Sequence, residues 1–240
     1  MRKYLLLGIF LLLPAGPAMG FCYVPQPRLV CAEYFASTVV VEATLVKVRT
    51  VGDKDAFVYS LSADRVIRGD IAGAFRVYEG NDSGRASFDW KTGQKYLLFL
   101  FYDASVKSWA LDGCGNSGPL SGAKTVLEQI DAIQTHHDGG VIHGAISRQG
   151  LSFSISGVRV EARGKNGVYA ATTNEKGDFE IKVPAGRYSL HASKIGISLE
   201  TADFSYENPR ALRIEPGGCA QVQLVASITP SSLPRPGDKQ

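Results

Sequence analysis

A series of short alternating segments, each closed by turn-forming residues, occupies residues 139–190. One turn lies at residues 174–178, which read Asn-Glu-Lys-Gly-Asp, and Pro184-Ala-Gly186 forms the next break. Asn and Gly accept the left-handed backbone that tight turns need, and Pro ends a strand because it lacks an N–H group. Between the turns, apolar residues recur with period two, as in Phe-Glu-Ile-Lys-Val at 179–183. Short strands of this kind predict a β-sandwich.

The order of these segments resembles the carboxypeptidase regulatory-like domain, an immunoglobulin- or transthyretin-like sandwich common in secreted bacterial proteins. The resemblance rests on four motifs: Gly139-Gly-Val-Ile-His-Gly-Ala-Ile-Ser147, Ser156-Gly-Val-Arg-Val-Glu161, Thr173-Asn-Glu-Lys-Gly-Asp-Phe-Glu-Ile181 and Pro184-Ala-Gly-Arg-Tyr-Ser-Leu190. It implies a sandwich domain over residues 141–226. Such domains are usually non-enzymatic, so the resemblance implies a binding or structural role.

The N-terminus has the pattern of an export signal over residues 1–20. Arg2 and Lys3 supply positive charge, residues 4–13 are almost entirely apolar, and Ala18-Met-Gly20 offers the small residues that signal peptidase reads. The apolar run is shorter than the roughly 20 residues that a membrane-spanning helix needs. We therefore expect a secreted or periplasmic protein that begins at Phe21 and keeps no stable membrane anchor after signal removal.

Charge and composition limit the partners. Without Arg2 and Lys3 the net charge is near +1, which gives no electrostatic argument for nucleic acid or for an anionic membrane. Arg65, Arg68 and Lys91 lie near aromatic residues, but export and the low net charge favour solvated strand faces over an oligonucleotide site. The end of the chain, residues 227–240, is rich in proline and polar residues and predicts a disordered tail.

Residues 22–134 also have mainly strand patterns. Val39, Val41, Ala43 and Leu45 alternate on one face, and residues 96–102 form a continuous apolar and aromatic run. A run without a polar face predicts a strand buried on both sides or the wall of a small barrel. A helix follows, with Val126, Leu127, Ile130 and Ile133 at helical spacing and Ser121 as its expected N-cap. Strands that curl into a barrel and end in a helix predict an OB-like fold.

This half is similar to the netrin-like domain, the OB-fold module of the tissue inhibitors of metalloproteinases. The motifs are Cys31-Ala-Glu-Tyr-Phe-Ala-Ser-Thr-Val-Val-Val-Glu-Ala43, Tyr59-Ser-Leu-Ser-Ala-Asp-Arg-Val-Ile-Arg-Gly-Asp70, Phe88-Asp-Trp-Lys-Thr-Gly-Gln-Lys-Tyr-Leu-Leu-Phe99 and Cys114-Gly-Asn-Ser-Gly-Pro-Leu120. The resemblance implies a domain over residues 21–134, with residues 135–140 as a linker to the sandwich. The chain departs from the family because it lacks an initial Cys-x-Cys and a cysteine in the turn at residues 81–88.

The chain has four cysteines, an even number that favours disulfides in an exported protein. Their spacing alone leaves all three pairings open. The resemblance implies that Cys22 bonds Cys114, which leaves Cys31 and Cys219 as a pair across the two domains. The alternative partner for Cys22 is Cys31.

No arrangement of residues predicts catalysis, a metal or a cofactor. His136, His137 and His143 lie near the predicted linker and are interpreted as solvated side chains rather than metal ligands. The sequence at residues 113–118, Gly-Cys-Gly-Asn-Ser-Gly, looks like a serine-protease segment, but a triad also needs a placed His and Asp. A turn around a disulfide is the favoured interpretation.

We therefore expect a non-catalytic exported protein that contacts an unidentified protein or glycan. The alternative is a metalloprotease inhibitor, because the related inhibitors grip the catalytic zinc with the amine and carbonyl of a first-residue cysteine. Here Phe21 precedes Cys22, and one extra residue displaces the amine by roughly 3.5 Å. The expected protein-binding ridge comprises Phe21, Cys22, Tyr23, Val24 and Pro25.

Overall fold

The computed structural model describes residues 28–52, 55–82, 84–135, 138–148, 154–194, 197–201 and 205–228. In chain order it contains a small closed barrel, a helix on the outside of that barrel, and a sandwich of two sheets. The predicted mainly β class, with an OB-like barrel and its C-terminal helix followed by a β-sandwich, is confirmed. Within the described ranges, no helix is both long and apolar enough to cross a membrane.

Five strands form the wall of the barrel: β1 (Val39–Val51), β2 (Ala56–Arg68), β3 (Ala74–Gly80), β4 (Lys95–Asp103) and β5 (Ser108–Leu111). Strand β1 pairs antiparallel with both β2 and β4, and β5 joins β4 to β3, so the ring closes. A two-residue strand, β6 (Gly118–Pro119), adds to β4. Closure removes the free sheet edges that an open sheet would leave unpaired.

The interior of the barrel is filled by the side chains that the period-two pattern predicts. Val39, Val41, Ala43 and Leu45 of β1 are buried there, with Tyr96, Leu98 and Leu100 of β4. The other face of β4 is buried too, because Leu97 and Phe99 pack under the helices α1 (Val30–Ala36) and α2 (Lys124–Thr135). The continuous apolar run is therefore explained by a strand with two buried faces.

The two helices differ in how well the sequence predicts them. The amphipathic pattern predicts α2, but Ser121 is not its N-cap as expected, because it lies inside a 3-10 turn (Leu120–Gly122) that precedes the helix. The sequence analysis missed α1 altogether. A helix of seven residues is too short to be stable by itself, and its packing on the barrel and sandwich stabilises it.

The sandwich contains eight strands: β7 (Gly140–Arg148), β8 (Arg159–Gly164), β9 (Gly167–Thr172), β10 (Asp178–Val183), β11 (Gly186–Ser193), β12 (Ile197–Thr201), β13 (Leu212–Ile214) and β14 (Gly218–Ile228). One sheet has the order β10-β7-β14-β12 and the other β13-β11-β8-β9. Both sheets contribute to one apolar core, which includes Ile142, Val160, Ile181, Leu190 and Val222.

The predicted turns occupy the expected positions between strands. Gly177 has a φ of +87°, and a Cβ there would lie 2.3 Å from the carbonyl oxygen of Ile146. The Asn174 side chain accepts hydrogen bonds from the backbone N–H groups of Lys176 and Asp178. The Tyr188 hydroxyl donates to the Pro184 carbonyl over 2.8 Å, which holds the break between β10 and β11.

The barrel and the sandwich meet where α1 packs against β14. Cys31 of α1 and Cys219 of β14 form a disulfide with an S–S distance of 2.04 Å. Beside it, the backbone N–H of Leu29 donates to Gln221 Oε1 over 2.7 Å. A covalent bond and a partly buried hydrogen bond therefore join the two β units at the same place.

Candidate functional site

An open groove of about 620 Å³ lies on the barrel and includes the end of β4. Its lining includes Arg49, Arg76, Tyr78, Tyr102, Lys107 and Trp109, and we call it the barrel groove. These residues come from β1, β3, β4, β5 and the connection between β4 and β5. In OB folds, the face of the second and third strands and the adjoining loops binds extended polymers such as oligosaccharides and oligonucleotides.

Cross-strand register places the strand residues of the groove in one row. Arg49 lies opposite Val58, and Val58 lies opposite Tyr78. Directly opposed residues of an antiparallel pair share a face of the sheet, with their Cβ atoms about 5 Å apart. Arg76, two residues before Tyr78 on β3, shares that outer face and is exposed.

Two aromatic rings form one side of the groove. Tyr102 and Trp109 lie opposite each other on β4 and β5, and their rings meet edge to face with centroids 5.6 Å apart. Trp109 also packs against the barrel core, whereas Tyr102 is 53% exposed. The partly buried Trp109 thus orients the exposed Tyr102 ring. The electron-rich face of the Tyr102 ring can pack on the C–H face of a sugar ring.

The connection between β4 and β5 carries an unusual backbone conformation. Lys107 has a φ of +50°, and no other non-glycine residue in the described part of the chain has a positive φ. Asp103 holds the start of the turn, since its Oδ1 accepts hydrogen bonds from the backbone N–H and the hydroxyl of Ser105. These bonds lower the pKa of the Asp103 carboxyl. The turn therefore places a lysine at the rim of the groove in a conformation that usually favours glycine.

The charge of the groove is mainly positive. Arg49, Arg76 and Lys107 line it together with a single carboxylate, that of Asp70. Guanidinium groups donate paired hydrogen bonds to carboxylates and to neighbouring oxygens, so this lining suits a ligand rich in oxygen atoms. Sequence reasoning missed these residues, because they are distant in the chain and only the strand register collects them.

Two of the cations considered above for an oligonucleotide site, Arg65 and Arg68, contact other side chains. Arg65 pairs with Glu42 over 3.2 Å, and the Arg68 guanidinium lies over the rings of Tyr34 and Phe35. Neither these two nor Lys91 lines the barrel groove.

The predicted ridge of Phe21, Cys22, Tyr23, Val24 and Pro25 lies outside the described residues, and so do His136 and His137. Cys114 is disulfide-bonded. Its predicted partner, Cys22, lies outside the described part of the chain, so that pairing stays a prediction. The alternative pairing of Cys22 with Cys31 is excluded, since Cys31 is bonded to Cys219.

The segment from Ala86 to Trp90 is held by the buried carboxylate of Glu79. Glu79 accepts hydrogen bonds from the Ala86 backbone N–H over 3.1 Å and from Trp90 Nε1 over 3.0 Å. Trp90 in turn stacks on Tyr59 with centroids 4.3 Å apart. Burial and the Glu79 charge raise the pKa of the Tyr59 hydroxyl. These contacts hold the segment against the core of the barrel.

The protease-like segment at residues 113–118 has a structural role. The Ser117 hydroxyl accepts a hydrogen bond from the Phe99 backbone N–H over 2.9 Å. Asn116 donates to Glu33 Oε2 from both its backbone and its side chain, over 2.6 and 2.7 Å. Burial raises the pKa of Glu33, against the opposing effect of Arg28. The segment closes the barrel against α1.

A second, partly buried carboxyl lies on the sandwich side of the junction. Glu207 Oε2 accepts a hydrogen bond from the Gln221 backbone N–H over 2.5 Å. Burial raises the pKa of Glu207 to about 7, despite that hydrogen bond and the nearby Arg28. The Arg28 guanidinium pairs with Asp112 over 2.8 Å and lies over the Tyr206 ring. The junction therefore contains two carboxyl groups that resist ionisation.

The two described histidines lie in different sheets of the sandwich, one on β7 and one on β11. His143 lies on β7, 3.7 Å from Glu180, and burial lowers its pKa. His191 is exposed, with Ser189 Oγ 3.3 Å from its Nε2. A Ser–His pair also needs an acid that orients the histidine, but the opposing Glu161 accepts hydrogen bonds from two arginines instead. Among the described residues, no group of His, Cys, Asp and Glu could hold a metal ion.

Comparison with known proteins gives no relative from which a function could be transferred. No protein-family model matches this chain, and no curated protein matches it either.

Proposed function

We propose that this chain is an exported, non-catalytic binding protein whose barrel groove takes a segment of a glycan chain. We further propose that the barrel is a netrin-like domain and that the sandwich is a carboxypeptidase regulatory-like domain, as the sequence motifs suggest. The observation that carries it is the exposed Tyr102 ring, oriented by Trp109 and flanked by the cations of the barrel groove. Such a lining offers an apolar platform and hydrogen-bond donors in one open channel.

Shape and charge favour a glycan over a nucleic acid. The groove is open along its length, which suits a polymer rather than a small enclosed ligand. Nucleic-acid binding relies on many phosphate contacts by Lys and Arg, and a chain with a net charge near +1 after signal removal has little long-range attraction for phosphate. Sugar rings present apolar C–H faces and hydroxyl groups, which match Tyr102 and the arginines of the groove.

Tryptophan fluorescence is a direct test, because both tryptophans of the chain, Trp90 and Trp109, lie in the barrel. The purified protein would be titrated with hexasaccharides of glucose, N-acetylglucosamine and galacturonate. We expect at least one of them to change the emission with saturation, and Tyr102→Ala to weaken that ligand at least tenfold.

Phe101→Ala is the matched control. Phe101 is 42% exposed and adjacent to Tyr102, but its side chain points to the other face of β4. Affinity in this variant should stay within twofold of wild type. Equal losses in both variants, or tighter binding of a single-stranded oligonucleotide than of any hexasaccharide, would contradict the proposal.

A further inference from the structure

The outer face of the β13-β11-β8 part of the sandwich carries a concentration of arginines. Arg163, Arg187, Arg210 and Arg213 line one open depression of about 560 Å³, and all four are exposed. We call this surface the arginine face. It lies on a different β unit from the barrel groove and shares no residue with it.

Strand register places two of these arginines at directly opposed positions. Arg187 of β11 lies directly opposite Arg213 of β13. Like charges at directly opposed positions destabilise a sheet, since their Cβ atoms are only about 5 Å apart. Arg163 of β8 lies opposite Ser189, two residues from Arg187, so its side chain belongs to the same face. The fold therefore tolerates repulsion at this surface.

The carboxylates nearby neutralise only part of this charge. Glu161 accepts hydrogen bonds from Arg159 and Arg163, and these bonds lower its pKa. Glu215 pairs with Arg213 through Nε over 2.7 Å. Among the described residues, Arg187 and Arg210 make no ion pair. Both guanidinium groups are free to donate to an oxyanion, and Arg213 keeps its two terminal nitrogens for the same use.

Polar groups between the arginines add further hydrogen-bonding capacity. Ser189 and His191 follow Arg187 on the same face of β11, and the hydroxyl and the imidazole lie 3.3 Å apart. Tyr188 is buried beneath the face. The surface thus combines guanidinium groups with hydroxyl-type partners, and it has no exposed aromatic ring among its lining residues.

We propose that the arginine face binds an acidic polysaccharide through the carboxylate or sulfate groups of neighbouring sugar units. Spaced oxyanions would relieve the repulsion between Arg187 and Arg213, and the sugar hydroxyls would meet Ser189 and His191. Single-stranded nucleic acid fits this surface less well, because no exposed Phe, Tyr or Trp ring lies among its lining residues for base stacking.

Binding at the arginine face does not depend on the barrel groove. Tryptophan fluorescence and calorimetry together distinguish binding at the two sites. No tryptophan lies in the sandwich, so a ligand on the arginine face leaves the tryptophan emission unchanged. Its heat of binding still appears in calorimetry. A negative result for the barrel groove therefore does not contradict binding at the arginine face, and the reverse also holds.

The test is calorimetric titration of the full mature protein with polygalacturonate and, separately, with heparin, which distinguishes carboxylate from sulfate recognition. We expect binding of at least one polymer that weakens as salt is raised. The double variant Arg187→Gln/Arg213→Gln should lose at least tenfold in affinity. Its melting temperature should stay equal or rise, because one repulsive pair is gone, whereas a purely structural role would lower it.

The double variant Lys176→Gln/Lys182→Gln is the matched control, since it removes the same net charge from exposed positions at and beside β10, in the opposite sheet. Its affinity should remain within twofold of wild type. Arg210→Gln, which changes one residue outside the strands, serves as a second probe and should weaken binding at least threefold. An equal loss in the lysine control, no binding of either polymer, or tighter binding of duplex DNA or phosphatidylglycerol vesicles would overturn the proposal.

Discussion

The partly buried carboxyl of Glu207 makes a quantitative prediction about stability and pH. Its pKa is raised to about 7 in the folded protein, whereas an unfolded glutamate titrates near 4.3–4.5. The unfolded chain therefore releases this proton at lower pH than the folded one. The contribution of Glu207 to the free energy of unfolding therefore falls as pH rises from about 4.5, and this contribution levels off above about pH 7.

The magnitude follows from the two pKa values. Between pH 5 and pH 8 the linkage relation gives a loss of about 2.5 kcal/mol of unfolding free energy from Glu207. Glu207→Gln removes the ionisation but keeps an oxygen that can accept the hydrogen bond from the Gln221 backbone N–H. We expect the variant to gain about 2.5 kcal/mol relative to wild type on going from pH 5 to pH 8.

Urea unfolding at both pH values, with disulfides intact, measures this difference. His143 has a lowered pKa and acts in the opposite direction below its unfolded pKa, but it is present in both proteins and cancels in the comparison. Glu175→Gln, at an exposed turn position, is the control and should show no pH-dependent gain. A pH-independent difference between Glu207→Gln and wild type would refute the assignment of a raised pKa to burial at the junction.

Three further changes test other parts of the structure. Replacing Cys31 and Cys219 by Ser should lower the unfolding free energy by about 5 kcal/mol, because the bond joins residues 188 positions apart; an unchanged urea midpoint would contradict this. Gly177→Ala should cost more than 2 kcal/mol by adding a backbone clash to an unfavourable φ, whereas Gly157→Ala, with positive φ but open space, should cost about 1 kcal/mol in the same assay. Lys107→Gly should raise the melting temperature, since it relieves about 1 kcal/mol of backbone strain. The same variant should weaken hexasaccharide binding at the barrel groove. A lower melting temperature would argue against backbone strain at Lys107.

Local pattern determined much of the secondary structure. Alternation along β1 and β10 identifies their buried faces, because side chains of a strand point in turn to opposite sides. Turn residues such as Asn174 and Gly177 mark strand ends because their conformational preferences are local. The continuous apolar run of β4 indicates burial on both faces, and the structure shows what covers each one.

Other features depend on packing that no local pattern contains. Helix α1 has too few residues for a helical period to be recognised, and contacts with the barrel and with β14 stabilise it. Four cysteines allow three pairings, and only the docking of α1 on β14 brings Cys31 within bonding distance of Cys219. The raised pKa of Glu207 likewise depends on burial at that junction.

Neither proposed binding surface could be predicted from the sequence, and the physical reason is the same for both. The barrel groove joins Arg49 to Tyr102 and Trp109, and the arginine face joins Arg163 to Arg213, across strand pairs whose register is set by the whole sheet. The sequence by itself determined which residues alternate and where the chain turns. The tertiary structure decided which of the outward-facing residues become neighbours, because register and closure are properties of the assembled sheets.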